Sequence, residues 1–497
     1  MGNDALTLGR WISDAARTEP RRVAIVDRGV SVGYGELESR AGALAMRMRQ
    51  AGFGSGTRIA TLSGSTADQI VLFFACAKIG AVLVPMSWRL TSRELAAQLQ
   101  LSEPALLVVE DEFQRLASAA TDTIEIVTMG SAGIERAVPD AVAAPDAKER
   151  VEDHDPLLMI FTSGSSGRPK AVVLTHANCA WANISLARAN PMRSDDVVLQ
   201  VLPQFHVAGW NIQPLLALWV GATLVLERTF DPGRTLALIE RHGVTAFMGV
   251  PTIFRDIVEH PDFDARDLTS LQTVVVGGGL IDAATLTRLR EREVHPMQGY
   301  GLTEAGPNVT IDLGGSNGTS IGKPYPGVDL AVLTDGRIEI GPAKGELLVR
   351  TPAVFSGYFR NEQATNAAFF DGWLRTGDLV ERRPDGAVAF LDRIKDIVRS
   401  GSETIAPLEV ERALVSHRQV RDAAVAGIPH ERWGERLVAW VVLEEEVHDD
   451  ELVDHLLPQI ARFKVPKEFV RVRAIPRTSS GKVLRRALAA TMIQERR

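Results

Sequence analysis

The chain reads as an α/β protein: a large N-terminal domain of α/β layers carrying a small β-rich subdomain, then a small, mobile C-terminal α/β domain. Three observations predict this. Short β-branched runs alternate with helical periodicities up to Gly318, the pattern of a largely parallel sheet covered by helices. Past Gly318 the pattern shifts to brief strands and turns (DLAVLTDGRIEIG, GELLVR, VAFLDR), a small β-rich unit. After Asp392 and a charged connector, Arg393 to Lys395, come about 100 residues with an α/β alternation of their own, enough for a separate small domain. A chain of 497 residues is also long for a single core.

Taken in order, Leu37, Ala41, Leu44, Ala45 and Met48 recur at helical spacing, and Gly52 closes that helix. Arg58 to Leu62 reads as a strand, Ala67 to Ile79 as a buried helix and Val82 to Pro85 as another strand, with further alternation through 94–109. Residues 130–156, rich in Ala, Asp, Gly and Pro, are expected to cross the surface. Leu157 to Phe161 and Ala171 to Leu174 are apolar strands on either side of a loop. A second series of strands follows at Val197 to Leu202, Thr223 to Leu226, Thr245 to Met248 and Thr273 to Val276, without a fixed-period repeat.

Net charge is −7, with 24% charged and 45% apolar residues, as in an ordinary soluble protein. The charge is uneven: from Lys464 to Arg497 there are ten Lys/Arg against two Glu. Such a tail suits a solvated face or a polyphosphate partner, and without aromatic interleaving it does not indicate nucleic acid. Cys76 and Cys179 are the only cysteines, which argues against a disulfide framework or a cysteine zinc site and fits a reducing cytoplasm. The N-terminus lacks a signal-peptide pattern, and the longest apolar stretches fall short of the about 20 residues that span a bilayer. No integral membrane contact is expected, and no feature sets an oligomeric state.

The chemistry is concentrated between the two apolar strands. Thr162, Ser163, Gly164, Ser165, Ser166 and Gly167 form a hydroxyl- and glycine-rich loop ending at Lys170. Glycines let backbone N–H groups turn toward a phosphate, hydroxyls add donors and the lysine adds charge. This is not a Walker A loop, because Arg168 and Pro169 separate Gly167 from Lys170 and a strand follows instead of a helix. Two other glycine-rich stretches are rejected as motifs. GGGLID at Gly277 lacks the third glycine of a dinucleotide fingerprint, and GGSNG at 314–318 lacks the helix of a nucleophile elbow.

The stretch LLMIFTSGSSGRPKAVVLTH, Leu157 to His176, closely resembles the signature loop of the adenylate-forming superfamily, which contains acyl-CoA synthetases, peptide-synthetase adenylation domains and luciferases. Further ordered segments extend the resemblance over nearly the entire chain. In QGYGLTE, from Gln298 and Gly299, the resemblance implies Tyr300 against adenine, Thr303 on a phosphate and Glu304 on Mg²⁺. These are roles that an aromatic ring, a hydroxyl and a hard carboxylate can fill. It also implies that Gly277, Gly278 and Gly279 line the adenine and acyl pockets, where a side chain would obstruct. In RTGD, Asp378 is implied to accept the ribose hydroxyls, with Arg393 alongside. In PQFHVAGW, His206 is implied to gate an acyl pocket lined by Trp210, Gly279 and Gly301. Lys482, within PRTSSGKVLRR, stands where the family has its catalytic lysine, and Lys395 where it has its hinge. The division implied is 1–393 for the large AMP-binding domain, 394–396 for the hinge and 397–497 for the small domain, whose closure brings Lys482 to bear.

These residues imply an ATP- and Mg²⁺-dependent carboxylic acid–CoA ligase that forms an acyl-adenylate, releasing pyrophosphate and then AMP. The alternative shares the first half-reaction but passes the activated acid, carboxylic or a small inorganic acid such as nitrite, to an amine or a carrier protein. Two features bear on CoA and pull in opposite directions. Many acyl-CoA synthetases read SGGEN after the hinge, whereas Ser400, Gly401, Ser402, Glu403 and Thr404 stand here, and Ser402 narrows that channel if it points inward. Trp433, before Gly434 and Glu435, resembles a CoA-contacting segment. Gly299 aligns with an arginine of dicarboxylate-specific relatives, so neither malonate nor another dicarboxylate is expected, and Trp210, Asn211, Gln213 and Gly301 nearby suggest an aromatic or medium-sized acid with some polar groups.

Overall fold

The computed structural model describes residues 6–129, 150–163, 169–313, 320–400, 403–430, 433–478 and 481–495. Two units emerge: Met1–Gly318 with Gly322–Asp329 and Val349–Leu374, and Thr319–Ile321 with Leu330–Leu348 and Arg375–Arg497.

The first unit holds two sheets. One runs in the order Gly357–Tyr358, Pro169–Thr175, Pro156–Ser163, Val82–Pro85, Arg58–Leu62, Leu106–Glu110, Ile126–Met129. Its last five strands are mutually parallel, and the first two are added antiparallel. The other runs Val30–Gly33, Val23–Asp27, Thr223–Leu226, Val197–Gln200, Ala246–Gly249, Thr273–Val276, Met297–Tyr300, Thr310–Asp312, parallel from Val23–Asp27 through Met297–Tyr300. The central strands TLVL, AFMG and TVVV are apolar on both faces because helices cover both, and Val225, Phe247 and Val275 share a core with Leu236, Phe254 and Leu286. Helix Ala67–Ile79 is buried along most of its length. Its start is fixed by Thr66, whose side chain accepts from Gln69 N, and its end by Gly80 at φ +75°. Such an N-cap is worth about 1 kcal/mol.

Two strands of the second series are displaced slightly from the sequence reading. The one expected to reach Leu202 stops at Gln200, whose side-chain amide donates to the carbonyls of Leu202 (2.6 Å) and Gly209 (3.3 Å) and draws the chain into a turn. The one expected from Thr245 begins one residue later, at Ala246, although Thr245 N already donates to the Val197 carbonyl (2.8 Å).

In the second unit, Arg337–Glu339, Asp329–Thr334, Ala343–Arg350, Trp373–Arg382 and Val388–Arg393 form the β-rich part, in that order. The chain beyond forms another sheet, in the order Glu403–Ile405, Val398–Ser400, Gly434–Leu443, Val420–His430, with Glu468–Arg471 parallel to Gly434–Leu443. Period-two alternation gives this sheet two cores: Leu437, Ala439 and Val441 face Val410, Leu414 and Leu452, whereas Val438 and Trp440 face Leu488 and Met492. Asp392 joins the β-rich part to helix Pro407–Val415 by accepting from Leu408 N (2.8 Å). At least four of the ten basic residues of the tail pair with acids within the unit. Arg477 bonds Asp422 (2.7 Å), Arg485 bonds Glu411 (2.8 Å), Lys464 bonds Glu409 (2.6 Å) and Arg471 bonds Asp449.

Cys76 and Cys179 are free and buried. Among the described residues no helix is long and apolar enough to cross a membrane.

Candidate active site

In the first unit the two strands flanking the glycine-rich loop form an antiparallel hairpin in which Thr162 pairs with Lys170 and Ser163 with Pro169. Gly164, Ser165, Ser166, Gly167 and the side chain of Ser163 lie outside the described residues, as does the 314–318 stretch. The Lys170 ammonium stands 4.4 Å from the ring centroid of Tyr358, and the Tyr358 hydroxyl donates to Glu304 Oε1 at 2.9 Å. Lys170 and Glu304, far apart in sequence, thus meet around one ring. Burial, and then the charge of Glu304, hold the Tyr358 phenol above its ordinary range, so it is a donor near neutrality. Thr303 and Glu304 occupy a single 3-10 turn after strand Met297–Tyr300. That turn is closed by Gly306 at φ +79°, where a Cβ would stand 2.7 Å from the Ala353 carbonyl oxygen. Among the described residues Glu304 Oε2 accepts no hydrogen bond, so a hard anionic oxygen is available to a cation such as Mg²⁺.

Gln298 is buried, and its side-chain amide donates to the carbonyls of Val276 (3.1 Å) and Gly279 (2.9 Å). It therefore holds the Gly277–Gly279 loop in place. At Gly277 a Cβ would meet Met248 Cε at 2.7 Å, and Gly278 has φ +76°. Gly301 is required for packing, since a Cβ there would fall 1.5 Å from the Pro307 carbonyl oxygen. Tyr300 and Gly299 are half-buried on the strand's last residues.

His206 is half-buried, with its ring 4.7 Å from Phe205, which in turn meets Trp88 edge-on at 6.3 Å. Trp210 is 0% exposed, stacks on Phe73 at 4.8 Å and donates its indole N–H to the Gln204 carbonyl (2.5 Å). Its ring therefore packs in the core of this structure instead of standing on an open wall.

In the second unit Asp378 pairs with Arg393 across two antiparallel strands, with Nε 3.5 Å from Oδ1. The strand segment just before it is fixed by Glu346, which the sequence does not point to: Oε2 accepts two bonds from Arg375 (3.0 and 2.7 Å) and Oε1 one from Gly377 N (3.0 Å). Lys482 is exposed on a turn closed by Thr478, whose N–H donates to the Lys482 carbonyl (2.7 Å) and whose hydroxyl accepts from Lys482 N (3.1 Å). Lys395 lies in the 3-10 turn Ile394–Asp396. Gly401 and Ser402 lie outside the described residues, but Ser400 pairs directly with Gly434, beside Trp433. Trp433 is 37% exposed and stacks on His430 at 4.6 Å.

Of the residues the sequence analysis missed, Tyr358 and Glu346 matter most. Neither carries a spacing signal, because their partners are brought to them by the tertiary fold over long separations.

Comparison with known proteins identifies the family. Residues 12–359 match the AMP-binding enzyme family and residues 409–482 the AMP-binding enzyme C-terminal domain. Feruloyl-CoA synthase of Amycolatopsis sp is 35% identical over 489 residues, covering 96% of this chain and 97% of that protein. The fatty acid–[acyl-carrier-protein] ligase ScoC of Streptomyces coeruleorubidus is 34% identical, covering 97% and 96%. Among solved structures, o-succinylbenzoate CoA synthetase (MenE) from Bacillus subtilis, in complex with its acyl-adenylate intermediate OSB-AMP, aligns with a TM-score of 0.86 at 28% identity, covering 96% and 97%. The chain therefore belongs to the AMP-binding enzyme family, within the adenylate-forming superfamily.

Proposed function

We propose that this protein is an ATP-dependent carboxylic acid–CoA ligase acting through an acyl-adenylate. The observation that carries this reading is the meeting of Lys170 and Glu304 around Tyr358, which sets a phosphate-seeking cation and a hard carboxylate side by side in a member of this family. The substrate carboxylate attacks the α-phosphorus of ATP and the bond to the β-phosphate oxygen breaks, so pyrophosphate leaves with the electron pair. CoA sulfur then attacks the acyl carbonyl and AMP departs. Glu304 would hold Mg²⁺, which, when bound, shields the charge of the polyphosphate. Lys170 neutralises the departing pyrophosphate, Thr303 bonds a phosphate oxygen, and Tyr300 stacks on adenine. Asp378, with Arg393, accepts the ribose hydroxyls, and Lys482 stabilises charge between the carboxylate and the α-phosphate. His206 gates the acyl pocket. Residues 394–396 serve as the hinge of a small domain, 397–497, and Ser402 and Trp433 flank the CoA path.

The acid is aromatic or medium-sized. Ferulic acid is the first to test because a feruloyl-CoA synthase is so similar, and Gly299 supplies no cation for a second carboxylate. The similarity to ScoC supports a second reading, in which a carrier protein takes the acyl group. The two buried free cysteines favour a cytoplasmic location. Incubation with a panel of acids, ATP and CoA, followed by mass spectrometry, is expected to give an acyl-CoA and AMP. Acyl-AMP that accumulates and is not consumed by CoA would overturn the CoA assignment in favour of another acceptor.

A further inference from the structure

Resting on that reading, the geometry around Tyr358 points to a role of its own. The segment bearing it is tightly held. Ser356 N donates to the Val173 carbonyl (3.1 Å), Phe359 N to the Ala171 carbonyl (2.8 Å) and Tyr358 N to the Thr365 hydroxyl (2.9 Å). Asn178 Nδ2 donates to the carbonyls of Pro352 and Val354 (3.1 and 2.8 Å), and Phe355 N donates to the Glu304 carbonyl (2.9 Å). The Phe355 ring meets Tyr358 edge-on at 4.9 Å and stacks on Phe369 at 5.9 Å. The tyrosine is therefore fixed to both the Lys170 strand and the Glu304 turn. Among the described residues Lys170 and Glu304 form no ion pair with each other, although both reach the same ring.

We propose that Tyr358 is a positioning residue that keeps the two charges apart and aimed. Its hydroxyl holds Glu304 Oε1 and leaves Oε2 to a metal ion, while its ring face holds the Lys170 ammonium away from the carboxylate by a cation–π contact. Without this neutral spacer the two would be free to collapse into an ion pair, which would have to break before metal and polyphosphate bind.

Tyr358→Phe keeps the ring under Lys170 and the packing on Phe355 but removes the bond to Glu304. ATP binding, followed by calorimetry without any acid, is expected to need roughly tenfold more Mg²⁺ than wild type, since a hydrogen bond to a charged group is worth about that factor. At saturating Mg²⁺ its affinity for ATP should return to near the wild-type value. Tyr358→Leu removes both contacts and should weaken ATP binding even at saturating Mg²⁺. In a Glu304→Gln background, Tyr358→Phe should add little further change, because the hydroxyl acts through Glu304. An unchanged Mg²⁺ requirement in Tyr358→Phe, or equal additional losses in both backgrounds, would overturn the proposal. A melting curve matching wild type separates either outcome from misfolding, and a variant that melts early is judged by the double-mutant comparison. Wild-type protein that binds Mg²⁺ and ATP but never releases pyrophosphate with any acid would instead defeat the ligase reading and leave this inference standing.

Discussion

Lys170 and Lys482 are both assigned to the phosphates of one nucleotide, yet the two units hold them in opposite ways. Lys170 lies on a strand flanked on both sides by other strands, with an aromatic ring beneath its ammonium. Lys482 lies exposed on a short turn closed by its own backbone, and the turn is braced by partly buried pairs at Arg477–Asp422 and Arg485–Glu411. In the first case the sheet fixes the charge itself. In the second the fold fixes only the platform. A charge held by a sheet serves every nucleotide-bound state, whereas one on an exposed turn can serve a single step and be withdrawn. The two lysines should therefore fail differently when removed.

The largest effect tests this difference directly. Lys482→Ala should lower acid-dependent pyrophosphate release by about 10²- to 10³-fold, the usual cost of one transition-state donor, and leave ATP affinity unchanged. Thioester formation from supplied acyl-AMP should continue. Near-normal pyrophosphate release would break the comparison, because Lys482 would then belong to no charge-developing step.

Glu304→Gln probes the other side. An amide is a poor ligand for a hard cation, so the Mg²⁺ requirement should rise and turnover fall by about a hundredfold. Unlike Lys482→Ala, this variant should also weaken ATP binding at limiting Mg²⁺. A Mg²⁺ titration matching wild type, at wild-type rate, would make Glu304 a purely structural residue.

How much of this was readable from the residues follows the same division. Strands with a strong local pattern, such as Arg58–Leu62 and Thr273–Val276, and the buried helix Ala67–Ile79 appear where periodicity places them. The Thr162-to-Lys170 loop announces itself within nine residues, and the strands flanking it stand where the apolar runs place them. Long-range contacts were not legible. Nothing around Gly357–Tyr358 announces a partner at Glu304, and nothing around Glu346 announces Arg375 and Gly377, since each contact is created by the tertiary fold. Gly301 was singled out for an acyl pocket, and the structure adds a packing reason of its own, since a side chain there would meet the Pro307 carbonyl. A glycine's importance is visible in sequence, but the atom that demands it is not.

A pH experiment sharpens the contrast between buried and exposed groups. His176 is fully buried, its Nδ1 accepts from Leu8 N (3.1 Å), and burial lowers its pKa from 6.5 to about 4. Protonating Nδ1 would set two donors against each other. The unfolded chain therefore binds more protons than the native one between these values. The stabilisation is present above pH 6.5 and is lost as pH falls toward 4, about 2 kcal/mol of it by pH 5. Denaturant midpoints of wild type should fall over this window, and those of His176→Asn should fall less. Equal slopes would show that other groups govern acid sensitivity.

The smallest effect concerns Trp433, on the exposed side of the second unit. One face of its indole is covered by His430 and the residue is 37% exposed, so at most one face can take a base. The neighbouring residue Gly434 pairs with Ser400, which places Trp433 at the strand end from which the 401–402 segment continues. An adenine stacking there would gain about 1 kcal/mol, the lower end for base–aromatic stacking because His430 already occupies one face. Trp433→Ala should then raise the KM for CoA by roughly fivefold to tenfold. The first half-reaction, read as acid-dependent pyrophosphate release in the absence of CoA, should not change. An equal loss in both half-reactions would mean that the indole only supports the His430 strand. An unchanged KM would move the CoA nucleotide away from this strand pair and strengthen the case for a carrier-protein acceptor, whose surface has no adenine to stack.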